Sequence, residues 1–216
     1  GSMYLLSSCY DEGKGVAQNK REAMRLFETV AEQGNCDAMN RLGIFLYSKQ
    51  RGVEDWKKAI ELFMKAANCG CDEAMLKVGR CFHNGEGVDK DVTKAFEWWL
   101  KSAEKGNADA MLCVGWCFDN GKGVAQDKAK AFGWYLKSAE KGNADGMFGV
   151  GWAYDKGEGV TKDKTKAFEW WLKSAQKGNA DAMNHVGNCY YFGDGVTQFK
   201  TKAFEWYLKA AENGLV

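Results

Sequence analysis

A 36-residue period runs through the whole sequence and constrains the fold more than any other feature. The chain has 216 residues, which is six times 36. A sustained period of this length is typical of solenoids and other repeat arrays, in which each unit packs on its neighbours. Strand-rich repeats would need β-branched runs that the sequence lacks. The recurring positions include the glycines Gly34, Gly70, Gly106, Gly142, Gly178 and Gly214, and the methionines Met3, Met39, Met75, Met111, Met147 and Met183.

Each period predicts two helices joined by a glycine-containing turn. In residues 107–142, Asn107 is placed to cap a first helix, here called helix A, and Gly121 lies at its end. Asp127 is placed to cap a second helix, helix B, and Gly142 is expected to end it in the left-handed conformation. The pattern therefore predicts an all-α protein of six helix-turn-helix repeats.

The period also predicts where the repeats begin and end. They are expected at 3–34, 35–70, 71–106, 107–142, 143–178 and 179–214, within a single repeat domain over 1–216. Residues 1–2 are interpreted as the remnant of an expression tag. Because both ends fall on repeat boundaries, we expect an excised piece of a longer array. Repeat 2 departs from the pattern at Lys49–Val53, so its turn is expected to differ in shape.

Two segments carry a resemblance to a known family. KAFEWWLKSAEKGNADAM (94–111) and VGWCFDNGKGV (114–124) resemble the Sel-one-like repeat (SLR) family, whose members are related to tetratricopeptide-repeat proteins. The resemblance covers nearly the whole chain. It implies a right-handed α-solenoid in which the A helices line the concave surface.

Charge and hydropathy argue against several classes of partner. The formal net charge is +1, so no overall field marks the chain as a binder of nucleic acid. No apolar run approaches the roughly 20 residues that span a bilayer, so direct membrane insertion is not expected. We expect a cytoplasmic monomer or weak homo-oligomer, although the parent protein could carry a signal or an anchor that was removed.

The cysteines are expected to be mostly free thiols. Four of them share one period position, and equivalent helices of adjacent repeats lie too far apart for a disulfide. Three others cluster near one repeat boundary. The column comprises Cys9, Cys81, Cys117 and Cys189, and the cluster comprises Cys36, Cys69 and Cys71.

The sequence shows no constellation of catalytic or metal-ligating residues. His83 and His185 are about 100 residues apart, on repeats that are not neighbours, so a shared metal or acid-base site is not expected. The Gly-x-Gly turns lack the strand and the Lys-Ser/Thr pair of phosphate-binding loops. We therefore predict no enzyme, no cofactor and no metal.

A variable stripe on the A helices is the candidate binding surface. It lies beside the packing stripe, and the family resemblance places it in the concave groove. Its members are Asn40, Arg41, Ile44, Tyr47, Lys77, Arg80, Leu112, Trp116, Asp119, Phe148, Trp152, Asp155, Asn184, His185, Asn188 and Tyr191. Trp116 and Trp152 occupy one period position, which favours a binding hot spot, but they could instead fill gaps left by small neighbours such as Gly149. The tryptophan doublets at 98–99 and 170–171 are interpreted as packing residues.

The function expected from this stripe is that of a scaffold or adaptor. It would bind another protein, as a peptide or a helix, in the concave groove. Two alternatives remain at the level of sequence. One is an enzyme of the penicillin-binding or β-lactamase kind, as reported for disulfide-rich relatives in the family. The other is a structural spacer or self-assembling array.

Overall fold

The computed structural model describes residues 2–48 and 53–214, and these form α-helices and turns without a strand. The all-α helical-repeat fold class that the period predicts is therefore confirmed. The departure from the pattern in repeat 2, at 49–52, lies outside the described residues. The helices are α1 (Ser2–Glu12), α2 (Lys20–Glu32), α3 (Cys36–Ser48), α4 (Val53–Asn68), α5 (Asp72–Asn84), α6 (Val92–Glu104), α7 (Ala108–Asn120), α8 (Lys128–Glu140), α9 (Ala144–Lys156), α10 (Lys164–Gln176), α11 (Ala180–Phe192) and α12 (Lys200–Glu212).

The helices fall into two compact units. The first unit, Gly1–Lys105, contains α1 to α6, and the second, Gly106–Val216, contains α7 to α12. Within each unit every helix packs against the next one along the chain. Odd-numbered helices are the A helices and even-numbered helices are the B helices. No helix in the described part of the chain is long and apolar enough to cross a bilayer.

The predicted caps form at the helix ends. Asn107 Oδ1 accepts a hydrogen bond from the Ala110 amide at 2.9 Å, and Asp127 Oδ1 accepts one from the Lys130 amide at the same distance. The bond from the Lys130 amide is the main cause of a lowered pKa of Asp127. At the other end of α8, Gly142 has φ +89°, in the left-handed region. The local sequence therefore sets where these helices begin and end.

A glycine on each A helix from α3 to α11 allows a ring from the B helix to lie directly on the backbone. A Cβ added to Gly115 would lie 2.7 Å from the Tyr135 ring, and one added to Gly151 would lie 2.5 Å from the Trp171 ring. Trp171 is 5% exposed. The equivalent ring in repeat 3, Trp99, is also 5% exposed. The interpretation of these two doublet members as packing residues is confirmed.

The cysteine cluster at one repeat boundary contains a disulfide. Cys36, at the start of α3, is bonded to Cys69, just after α4, across a Cα–Cα distance of 6.1 Å. The other six cysteines form no disulfide in the described part of the chain, in line with the expectation for most of the thiols. Burial raises the pKa of the free Cys189 thiol to about 12, so that it stays protonated near neutral pH.

Candidate binding surface on the A helices

The predicted surface divides between the two compact units. Six of its residues lie on α3 and α5 in the first unit, and ten lie on α7, α9 and α11 in the second. In the first unit, Arg41 and Arg80 are exposed, and Ile44 and Lys77 are half-buried. Arg41 and Ile44 line a cleft of about 660 Å³ with residues of α1 and α2.

Asn40 differs from the rest of the predicted surface, because it is only 3% exposed. Its Nδ2 donates to Glu73 Oε2 at 3.0 Å, while its Oδ1 is buried and accepts no hydrogen bond among the described residues. The side chain therefore packs between neighbouring A helices, α3 and α5.

The largest exposed rings of the predicted surface lie in the second unit. Trp116 on α7 is 36% exposed, Trp152 on α9 is 40% exposed and Tyr191 on α11 is 41% exposed. The other predicted residues of this unit are the exposed Asn184 and the half-buried Leu112, Asp119, Phe148, Asp155, His185 and Asn188.

Four aromatic rings meet between repeats 5 and 6. The His185 ring centroid lies 5.2 Å from that of Phe148, 5.8 Å from that of Trp152 and 4.9 Å from that of Trp171. His185 Nδ1 is 2.9 Å from the carbonyl oxygen of Asp181, which only accepts hydrogen bonds, so Nδ1 carries a proton. In the neutral ring Nε2 is then left as an acceptor.

The junction between repeats 4 and 5 is closed by one lysine. Lys128, the first residue of α8, places its Nζ 2.8 Å from Asp119 Oδ1 on α7 and 2.9 Å from Glu158 Oε2 in the turn after α9. These two carboxylates raise the pKa of Lys128. The Tyr135 hydroxyl is 3.5 Å from Asp119 Oδ2. A cavity of only about 10 Å³ remains here.

The junction between repeats 5 and 6 has the same three positions but stays open. Lys164 Nζ lies 2.6 Å from Asp194 Oδ1, and this hydrogen bond is the main cause of a raised pKa of Lys164. Asp155 instead pairs with its own neighbour Lys156 at 2.9 Å. A cleft of about 250 Å³ results, lined by Trp152, Asp155, Lys156, Lys164, Trp171, His185, Asn188, Cys189 and Asp194.

The same positions in the first unit show a third arrangement. Tyr47 replaces the helix-A aspartate, and its hydroxyl donates directly to Glu86 in the turn after α5. Burial, followed by the bond to Glu86, raises the pKa of Tyr47. At this junction a direct hydrogen bond connects the A helix of repeat 2 to the turn of repeat 3.

Trp171, Lys164 and Asp194 are among the residues of the open cleft that the predicted stripe does not include. Trp171 was assigned to packing alone, although it also lines the cleft. Lys164 begins a B helix and Asp194 lies in a turn, so neither residue belongs to the A-helix stripe. The 36-residue alignment was the available signal, because it places Lys164 with Lys128 and Asp194 with Glu158.

The polar side chains that line the cleft are those of two aspartates, two lysines, His185 and Asn188. Within residues 2–48 and 53–214, no group of three or more histidine, cysteine or acidic side chains is arranged to hold a metal ion. Asn188 Oδ1 accepts the Tyr207 hydroxyl at 2.8 Å, which orients its amide. The arrangement thus offers aromatic faces and carboxylate oxygens to a ligand.

Comparison with known proteins identifies the repeat. The Sel1 repeat profile matches six consecutive segments, 1–35, 36–71, 72–107, 108–143, 144–179 and 180–215. A Sel1 repeat protein from Oxalobacter formigenes is 31% identical in its crystal structure, with a TM-score of 0.91 over 98% of this chain and 86% of that one. A comparison with curated proteins finds no significant match.

Two further solved structures are similar. A protective antigen of uropathogenic Escherichia coli with an SLR fold is 31% identical, with a TM-score of 0.88 over 99% of this chain. The chain spans 46% of that antigen's length. An immunity protein from Pseudomonas aeruginosa is 22% identical, with a TM-score of 0.59 over 83% of this chain and 66% of its own, and it shares the fold alone.

Proposed function

The chain belongs to the Sel1-repeat family, and we propose that it is a scaffold that binds a peptide or a partner helix on the exposed side of its A helices. Proteins of this family are generally protein-interaction scaffolds. We further propose that the chain itself is not an enzyme, since Sel1-repeat folds are typically non-enzymatic. Binding through the predicted stripe goes beyond the family assignment and rests on the following observation.

The exposed indoles of the second unit carry the proposal. Trp116 and Trp152 are 36% and 40% exposed, although each sits on a helix whose other side is buried. Large exposed rings are typical of binding hot spots, because they bury much apolar area when a partner covers them. The same period position holds Ser8, Ile44, Arg80 and Asn188 in four other repeats, so packing between repeats does not require an aromatic ring there.

A peptide selection followed by tryptophan variants tests this proposal. A displayed peptide library is selected on the immobilised chain, and the affinity of a selected peptide is measured for Trp116→Ala and Trp152→Ala. Each variant is expected to lose about 2 kcal/mol of binding, roughly thirtyfold in affinity. The melting temperature of each variant should change little, because the rings are exposed.

Trp134→Ala is the matched control. Trp134 lies on a B helix, α8, with the Lys137 ammonium 4.1 Å from its ring centroid, and its loss should leave peptide binding intact. The proposal is wrong if Trp116→Ala and Trp152→Ala melt much earlier yet bind normally when folded. In that case the two rings belong to the core.

A further inference from the structure

We propose that the cleft between repeats 5 and 6 is a recognition pocket for an arginine side chain of the partner peptide. The cleft is the one lined by Trp152, Asp155 and Trp171. This inference rests on the proposed function, and it names the chemistry of the group that one part of the surface accepts.

The neighbouring junction shows that these positions bind a cation. Between repeats 4 and 5, the Lys128 ammonium lies between the Asp119 and Glu158 carboxylates, 2.8 Å and 2.9 Å away. The corresponding carboxylates between repeats 5 and 6 are Asp155 and Asp194. The same pair of acidic positions is therefore present in the open cleft.

In the open cleft, the ammonium of the equivalent lysine pairs with only one of the two carboxylates. Lys164, which corresponds to Lys128, makes its ion pair with Asp194, and Asp155 is left to Lys156. Asp194 is one methylene shorter than Glu158. We attribute the position of Lys164 to this difference, because a shorter carboxylate side chain holds the ammonium closer to the turn and leaves room beside Asp155.

The lysines that remain at the cleft are easily displaced. Lys156 and Lys164 have side chains that are 46% and 45% exposed, and exposed ion pairs contribute only about 0–1 kcal/mol. Their long side chains can turn into solvent, whereas Asp155 is 21% exposed and its short side chain keeps the carboxylate beside α9. When the two lysines turn outward, the carboxylates of Asp155 and Asp194 remain available in the cleft, and they favour a cationic ligand.

The aromatic walls select arginine among cations. Trp152 is 40% exposed and stands beside His185, with centroids 5.8 Å apart. A planar guanidinium stacks on such rings and donates in parallel to carboxylate oxygens, which an ammonium does less well. The cleft volume of about 250 Å³ is below the usual range for small-molecule sites and suits one side chain.

The test uses a defined probe rather than an unknown partner. The probe is an acetylated and amidated pentapeptide with a central arginine and alanine elsewhere. The control peptide has citrulline at the centre, which keeps the shape and removes the charge. Binding to the ¹⁵N-labelled chain is followed through the indole N–H signals, with Trp152→Phe used to assign the Trp152 signal.

The arginine peptide should shift the Trp152 indole signal saturably, with a dissociation constant on the order of 1 mM. The citrulline peptide should bind about tenfold more weakly or not at all. Asp155→Asn should cause a similar loss. Glu169→Gln is the control, because it removes an exposed carboxylate from α10 of the same repeat and should not affect binding.

Three results would overturn the pocket. The first is equal binding of the arginine and citrulline peptides. The second is an equal loss of affinity for the arginine peptide in Asp155→Asn and Glu169→Gln. The third is a Trp152 signal that the arginine peptide leaves unchanged at saturating concentration. The outcome is separable from that of the proposed function. Selected peptides that need Trp116 and Trp152 but contain no arginine would refute the pocket alone, whereas specific arginine binding without any selectable peptide would refute the scaffold proposal alone.

Discussion

The junction between repeats 4 and 5 and the junction between repeats 5 and 6 use the same sequence positions and differ in outcome. In the first, Lys128 joins Asp119 to Glu158 and leaves about 10 Å³ of space. In the second, Lys164 reaches Asp194, and a cleft of about 250 Å³ remains. The difference teaches that a repeat protein can create a local site by changing a few side chains while the repeated backbone contacts stay the same.

The rings at the base of the two junctions, Tyr135 and Trp171, should be equally important for stability. Trp171→Ala is expected to lower the free energy of unfolding by about 3–5 kcal/mol, because it removes a ring that is packed on the Gly151 backbone. Tyr135→Ala, over Gly115, should cost a similar amount. Denaturant unfolding measures both. A cost below about 1 kcal/mol for Trp171→Ala would mean that the open junction is loosely packed down to its floor.

The turns of both junctions should depend on a glycine that touches the preceding repeat. Gly159 and Gly195 both have φ +71°, and a Cβ on either would overlap the carbonyl oxygen of Lys128 or Lys164. Ala substitution at either site should cost about 2–3 kcal/mol, since it adds a steric clash to backbone strain.

Gly142→Ala is the control for that prediction. Gly142 also has positive φ, but nothing lies within 4 Å of its added Cβ. Only the backbone strain applies, so thermal unfolding should report a loss of about 1 kcal/mol. Equal losses of unfolding free energy at all three glycines would show that the turns do not pack tightly on the preceding repeat. The two junctions would then not share the close contact between turn and preceding helix.

Swapping the two turn carboxylates, Glu158 and Asp194, should swap the ion-pair arrangements of the two junctions. Of the substitutions proposed, these should change stability least. Asp194→Glu lengthens the carboxylate by one methylene, so Lys164 should bridge to Asp155 as Lys128 does to Asp119, and the arginine peptide should bind about tenfold more weakly. Glu158→Asp should open the other junction. Both substitutions are at the surface and should change unfolding free energy by less than about 0.5 kcal/mol.

Crystal structures of the two variants decide this prediction. The distance from Lys164 Nζ to the Asp155 carboxylate should fall to ion-pair range in Asp194→Glu. If Lys164 stays with residue 194 alone, the length of the turn carboxylate is not what separates the two junctions.

Most of the fold could be predicted from the sequence, because its determinants are local or periodic. Asn107, Asp127 and Gly142 act on adjacent backbone groups, so their roles are visible without a structure. The identity of the core followed from the period, since a position that recurs in every repeat faces a neighbour that also recurs. The packing role of Trp99 and Trp171 was predicted on this ground.

The candidate site could be predicted only in part. The stripe included Trp152, Asp155, His185 and Asn188, which the structure brings together around the open cleft. It also included Asn40, whose side chain is buried against Glu73. A helical stripe gives the direction of a side chain but not the depth of the neighbouring helix, so burial at its edge could not be decided from spacing.

The sequence by itself determined the number of repeats, the helix ends at Asn107, Asp127 and Gly142, and the packing role of Trp99 and Trp171. These depend on backbone capping and on a period that every unit shares. Only the tertiary structure decided that Lys128 joins two carboxylates while Lys164 reaches one, and that Cys36 pairs with Cys69. The Lys128–Glu158 ion pair and the Cys36–Cys69 disulfide join side chains 30 and 33 residues apart, and whether such side chains meet depends on distances that the periodic pattern does not encode.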